Sequence, residues 1–183
     1  MKITETNISG LLVIEPKVFE DERGYFYECF NVDRFKGLDL PHNFVQDNLS
    51  RSTKGVLRGL HFQKPPFAQT KLVCVLKGEV LDVAVDIRPS SPTYLQHYRQ
   101  VLSEENKTQM LIPKGFAHGF VVLSDEALFY YKCDALYNAE SDAGIRFNDP
   151  QLNIDWGISQ NEVITSPKDL LLPTLEKFNS PFK

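Results

Sequence analysis

Along this chain the apolar residues fall in short runs, broken by clusters of Gly, Pro, Asn, Asp and Ser, and within most runs they alternate with polar residues. A period of two sends successive side chains to opposite faces, so the pattern predicts strands more than helices. Leu11–Ile14, closed by Pro16, is the first run, and Glu20-Asp21-Glu22-Arg23-Gly24 reads as a turn after Val18-Phe19. Tyr25–Phe30 follows as a strand with Phe26, Glu28 and Phe30 on one face, and Phe44–Leu49 sets Phe44, Gln46 and Asn48 on one face. Lys71–Leu76 and Val80–Ile87 flank Lys77-Gly78-Glu79, which predicts a hairpin. The second of these strands carries Asp82 and Asp86 on a wet or ligand-facing side and Leu81, Val83, Val85 and Ile87 on the other.

Leu111–Leu123 and Ala127–Asp134 form the next pair of runs. An even-numbered connection between them would set His118 opposite Tyr131 and an odd one opposite Lys132, and the sequence leaves that register open. Only two segments read as helices. Asn31 caps a short one through Phe35 and Lys36, ended by Gly37. Ser166-Pro167-Lys168-Asp169 starts another, with serine as cap, proline first and an acid near the positive helix end. Gln63–Gln69 and Tyr137–Asp155 are loops, Trp156 packs the end of the sheet, and the tail from Phe178 to Lys183 is expected to fray. Many short strands with few short helices predict a mainly β fold: an antiparallel jelly-roll sandwich forming one domain over residues 1–183.

Composition narrows the function by exclusion. A net charge of −4, from 20 basic against 24 acidic residues with no basic run, argues against a nucleic-acid partner. Met1-Lys2-Ile3-Thr4-Glu5-Thr6 has no apolar signal core, and no later run is long enough to cross a membrane. Cys29, Cys74 and Cys133 lack metal-type spacing and fit reduced, buried thiols of a cytoplasmic protein. None of the four histidines, His42, His61, His97 and His118, has a close histidine neighbour in sequence, so no metal is expected. No serine or cysteine stands in a nucleophile setting, and no glycine-rich phosphate loop precedes a helix.

The candidate chemistry centres on Val56–Gln63, an apolar strand interrupted by Arg58, Gly59 and His61. Burying an arginine or histidine without a partner is costly, so a cavity or a counter-group must accompany them. Strict alternation puts His61 and Arg58 on opposite faces, whereas a bulge at Gly59 would turn both into one pocket. The plainer alternative is an edge strand with a solvated arginine. His118 stands between the small residues Ala117 and Gly119, and Lys71 opens an apolar strand, either as a fixed charge at a cavity mouth or as a snorkelling edge lysine. A histidine base oriented by an aspartate, with a tyrosine acid and a lysine, is a kit for moving a proton beside a carbonyl. Residue types alone do not separate that kit from a binding module.

Phe19-Glu20-Asp21-Glu22-Arg23-Gly24, Phe44-Val45-Gln46-Asp47-Asn48, Val56-Leu57-Arg58-Gly59-Leu60-His61-Phe62-Gln63, Pro113-Lys114-Gly115-Phe116-Ala117-His118-Gly119-Phe120, Tyr131-Lys132 and Lys168-Asp169 occur in that order. With these motifs the chain resembles, nearly end to end, the dTDP-4-dehydrorhamnose 3,5-epimerase family, metal-free cupin enzymes of rhamnose and lipopolysaccharide or other polysaccharide biosynthesis. The resemblance implies a cofactor-free isomerase that epimerises C3 and C5 of dTDP-4-dehydro-6-deoxy-D-glucose through an enolate, giving dTDP-4-dehydro-L-rhamnose. It implies His61 as base paired with Asp169, Tyr131 as acid, and Lys71 with His118 at the C4 oxygen. Arg58, Gln46 and Asn48 would bind phosphates and sugar, together with Lys168 and Asp142. Arg23, Phe26 and Glu28 would hold the nucleoside in the partner's site of a homodimer. Asp142 stands where the family usually has glutamate, Phe147 replaces a frequent tryptophan, and Gly157 a common proline. The rival readings are a single-carbon epimerase of another nucleotide 4-keto sugar and a non-catalytic sugar-nucleotide-binding cupin. Two further rivals are a metal-dependent cupin oxygenase and a sugar 3,4-ketoisomerase, the latter opposed by Gln63 where those enzymes usually carry a second histidine.

Overall fold

The alternating runs become strands in the computed structural model, which describes residues 1–183. In chain order these are β1 (Lys2–Glu5), β2 (Leu12–Glu15), β3 (Phe19–Asp21), β4 (Gly24–Phe26), β5 (Gln46–Thr53), β6 (Leu57–Gln63) and β7 (Lys71–Lys77). They continue as β8 (Glu79–Asp86), β9 (His97–Ser103), β10 (Gln109–Ile112), β11 (Phe116–Val122), β12 (Glu126–Cys133) and β13 (Asp142–Gly144). Two antiparallel sheets form a sandwich, one ordered β1-β2-β10-β7-β12-β5 and the other β13-β6-β11-β8-β9, with β3 and β4 as a separate ribbon. The predicted helices are α1 (Val32–Gly37), capped by Asn31, and α2 (Pro167–Leu170), capped by Ser166. No helix is long and apolar enough to cross a membrane.

Three apolar layers hold the sandwich. Val73, Val75, Met110 and Phe129 of the six-stranded sheet meet Val80, Ala84, Phe116 and Phe120 of the five-stranded sheet in the middle. Leu57, Leu60, Leu81, Val83 and Val121 point out of the five-stranded sheet and are covered by Ile145, Phe147, Leu152 and Trp156. The Trp156 indole N–H donates to the Phe147 carbonyl at 3.0 Å, which satisfies the one polar atom this ring buries. Phe35 of α1 caps the outer side of the six-stranded sheet over Leu72 and Leu111.

Five local expectations are corrected by this packing. Lys77-Gly78-Glu79 is no hairpin: β7 and β8 belong to different sheets, and Gly78, at φ +77°, turns the corner between them. A Cβ at Gly78 would lie 2.0 Å from the Glu126 carbonyl oxygen, so the corner requires glycine. β11 and β12 also lie in different sheets, which dissolves the question of their register: His118 and Tyr131 approach from opposite walls. Of the two expectations for the face of β8 carrying Asp82 and Asp86, wet or ligand-facing, the wet one is overturned: that face is the sandwich interior, and both aspartates are 0% exposed. The strand expected over Tyr25–Phe30 ends at Phe26, and Phe30 instead packs edge-on against Phe35 and Phe44. Finally, the tail does not fray. Phe178 and Phe182 pack edge-on against Phe62, and the Ser180 hydroxyl donates to the Ile87 carbonyl.

Candidate active site

Gly59 makes the site possible. Between the pairs His118–His61 and Phe120–Arg58, β6 carries one residue more than β11, so the alternation resets and Arg58, still exposed, and His61 both border the same cavity. Gly59 has φ +137°, and a Cβ there would lie 2.6 Å from the Gly119 Cα, so only glycine lets the two backbones close up at the bulge. The bulge expected from sequence is present. It places His61 directly across from His118 on the neighbouring strand.

From the other sheet, β7 and β12 send Lys71 and Tyr131 into the same space, a cavity of about 460 Å³ between the sheets. Its remaining wall is the segment Ile164–Asp169, docked by the Leu57 N–H on the Ile164 carbonyl at 2.8 Å. Arg58, His61, Lys71, His118, Tyr131, Lys168 and Asp169 therefore line one chamber although they come from distant parts of the chain. The Ser166 side chain accepts from the Asp169 N–H at 3.1 Å, which fixes the turn and aims the Asp169 carboxylate inward.

His61 Nε2 lies 2.7 Å from Asp169 Oδ1, and Asp169 Oδ2 also accepts the Gly59 N–H at 3.4 Å. This contact sets the imidazole orientation and leaves Nδ1 as the ring nitrogen without that partner. Burial works against ionising Asp169, but His61, the Gly59 N–H and the Ser166 hydroxyl outweigh it and hold the carboxyl below its ordinary value. The stability this carboxylate adds is thus fully present above about pH 4, its ordinary range, and is lost as pH falls through the lower folded value. Urea unfolding of the wild type and Asp169→Asn across that acid range should show a shallower fall in the variant. Equal slopes would mean that Asp169 is not held this way.

Across the chamber, burial holds the Tyr131 phenol above its ordinary value, Cys133 and Asp142 add to the rise, and Arg58 opposes it. The phenol therefore keeps its proton at neutral pH and is able to deliver it. Burial pulls the Lys71 ammonium down against Cys133, Asp142 and Asp82, and its Nζ stands 5.8 Å over the Tyr131 ring. The Arg58 Nε–H donates to Ser52 Oγ at 3.1 Å, a link from one sheet to the other. Burial pushes the Cys74 and Cys133 thiols up to about 12 and about 11, so neither is a nucleophile at neutral pH.

The other predicted residues sit elsewhere. Asn48 is directly opposite Tyr131 on β5, and Gln46 Nε2 donates to Asn48 Oδ1 at 3.0 Å, beside the chamber and not lining it. Asp142 on β13 pairs with Lys168 at the rim and accepts the Tyr137 hydroxyl at 3.3 Å. Arg23 and Phe26 belong to the exposed β3–β4 ribbon, where Arg23 pairs with Asp21. Glu28 pairs with Arg34 at 2.7 Å. None of these three reaches the chamber. Sequence reasoning missed Asp82 as a member of the site: its two oxygens lie 3.0 and 2.9 Å from His118 Nε2. The signal was a carboxylate in the middle of an apolar strand. No group of three or more His, Cys, Asp or Glu side chains is arranged to hold a metal ion.

Comparison with known proteins matches residues 5–177 to a family described as dTDP-4-dehydrorhamnose 3,5-epimerase. The chain is 52% identical over 178 residues to dTDP-4-dehydrorhamnose 3,5-epimerase of Escherichia coli strain K12, covering 97% of this chain and 96% of that one. Its fold is similar to the crystal structure of dTDP-4-dehydrorhamnose 3,5-epimerase from Elizabethkingia anophelis, with TM-score 0.93, 53% identity and 98% of each chain covered. It is equally similar to dTDP-6-deoxy-D-glucose-3,5-epimerase from Legionella pneumophila in complex with dTDP-4-keto-L-rhamnose, with TM-score 0.93 and 53% identity over 97% of this chain and 94% of that one.

Proposed function

The chain belongs to the dTDP-4-dehydrorhamnose 3,5-epimerase family and is an isomerase of that class, and from this premise we propose that its two epimerisations run between His61 as base and Tyr131 as acid. The observation that carries the reading is their placement. The His61–Asp169 pair and Tyr131 enter one cavity from different sheets, as removal of a proton from one face of a ring and delivery to the other requires.

The C4 ketone acidifies both C3–H and C5–H, so one base, one acid and one oxyanion site serve both carbons. His61 takes the C3 proton and an enolate forms with its charge on the C4 oxygen. Tyr131 protonates C3 from the opposite side. His61 then releases its proton to water and Tyr131 regains one, and the same sequence repeats at C5. Lys71 and His118 stabilise the enolate oxygen within the chamber. Arg58, Gln46 and Asn48 bind the diphosphate and sugar, joined by the rim pair Lys168 and Asp142. No electrons leave the substrate, so the steps balance without a cofactor.

Arg23, Phe26 and Glu28 serve the nucleoside in trans. The β3–β4 ribbon leaves Phe19, Tyr25 and Phe26 exposed, with Phe19 paired to Phe26, and insertion into the partner's site of a homodimer would cover them. Sedimentation equilibrium should give twice the chain mass, and a monomer would remove that assignment.

The reading as a whole is tested by NMR of dTDP-4-dehydro-6-deoxy-D-glucose with the protein in heavy water. Deuterium is expected at both C3 and C5 of the product. Label confined to one carbon would contradict a two-centre route through these residues. Absence of label with tight nucleotide binding would favour a binding protein.

A further inference from the structure

Two histidine–aspartate pairs border the chamber from neighbouring strands, His61 with Asp169 in its lining and His118 with Asp82 buried behind it, and their carboxylates are satisfied differently. Asp169 accepts from the Gly59 backbone as well as meeting His61, and the Thr165 hydroxyl lies 3.5 Å from it. Asp82 meets His118 Nε2 with both oxygens, is 0% exposed, and shares its side of β8 with Val80 and Ala84, across from Phe120. A carboxylate that stays ionised where water and backbone donors are shut out needs a positive charge against it. Asp169 has no such need, because other donors support it.

His118 has a second constraint. A neutral imidazole that donates Nε2–H to Asp82 keeps only a lone pair on Nδ1, and a lone pair repels an enolate oxygen. Both constraints are met by one arrangement. We infer that Asp82 is a positioning residue for the epimerisation, holding His118 as an imidazolium whose Nε2–H is tied to the carboxylate and whose Nδ1–H is presented to the C4 oxygen. His61 is left as the neutral base. The inference deepens the enolate route and rests on it.

Protons balance at each step. The proton leaving carbon goes to His61, the proton arriving comes from Tyr131, and His118 donates a hydrogen bond while keeping both of its own. The ionisable groups around His118 are Asp82 behind it on β8, His61 and Arg58 beside it on β6, Lys71 and Tyr131 across the chamber on β7 and β12, and Lys168 and Asp169 on the remaining wall. The Asp82 charge also acts on Lys71, so one buried anion serves both cationic groups at the enolate oxygen.

The test is ring-nitrogen NMR of uniformly 15N-labelled full-length protein at neutral pH without substrate, the His118 signals being those lost in His118→Asn. Both His118 nitrogens should be protonated in the wild type. A neutral His118 ring overturns the inference. Because this measurement involves no turnover, its failure is distinct from failure of the enolate route, which would appear as a wild type that exchanges no deuterium. In Asp82→Asn the ring should become neutral and kcat should fall on the order of 100-fold with KM for the nucleotide sugar nearly unchanged, and Asp82→Glu should recover part of the loss. Wild-type kcat in folded Asp82→Asn, or a fall in kcat while His118 stays protonated, would leave Asp82 only a structural role. Should Asp82→Asn fail to fold, the wild-type spectrum still decides.

Discussion

Substituting His61 with asparagine is expected to lower turnover by ~100- to 10,000-fold, or roughly 3–5 kcal/mol of transition-state stabilisation. Asparagine suits the test because it fills much of the imidazole volume and still offers an amide to Asp169, whose carboxylate would otherwise lose its 2.7 Å partner while only 3% exposed. Nucleotide affinity should hardly change, since the residues assigned to the diphosphate and nucleoside are other side chains. The measurement is deuterium exchange at C3 and C5 alongside dTDP binding. Near-normal exchange in a folded His61→Asn protein would remove His61 as the base, and a lost affinity of similar size would turn it into a binding residue.

Tyr131→Phe should produce a different signature. The ring would keep its packing beside Phe129 and beneath Lys71, and only the hydroxyl would go. Net inversion at C3 and C5 is expected to fall ~100-fold or more, because the face away from His61 has lost its proton source. His61 would still remove a proton and, after exchanging with solvent, return a deuteron to the face it came from. Solvent label should therefore enter with retained configuration while epimerisation stalls. An equal loss of exchange and inversion would shift Tyr131 from acid to binding or enolate stabilisation. This split distinguishes two-sided proton transfer from a single-residue mechanism more sharply than a rate alone.

Both variants probe parts of the site that were legible to different degrees. His61 and Arg58 stood out because polar groups interrupted an apolar strand, and Gly59 between them signalled the bulge that now sets both at the same cavity. Asp169 was readable locally as a helix-start acid, but its contact with a histidine 108 positions away was implied only by family resemblance. Asp82 was visible as one member of an alternating pair and was still missed. β8 is buried on both faces, so alternation distinguished its two sides without showing that the polar one was interior. The hairpin expected at Gly78 failed for a related reason: a glycine turn between two apolar strands looks the same whether the strands pair or part into facing sheets.

The sequence by itself determined what neighbouring residues decide. Strand alternation, the Asn31 and Ser166 caps, the Gly59 bulge and the all-β character follow from backbone sterics, capping hydrogen bonds and periodicity, all of which act over a few residues. Only the tertiary structure decided which strands share a sheet, that the Asp82 face is interior, that the tail packs on Phe62, and that His61, Tyr131, Lys71, His118 and Asp169 meet in one chamber. These outcomes depend on burying three apolar layers at once, and that free energy belongs to contacts between segments far apart in the chain.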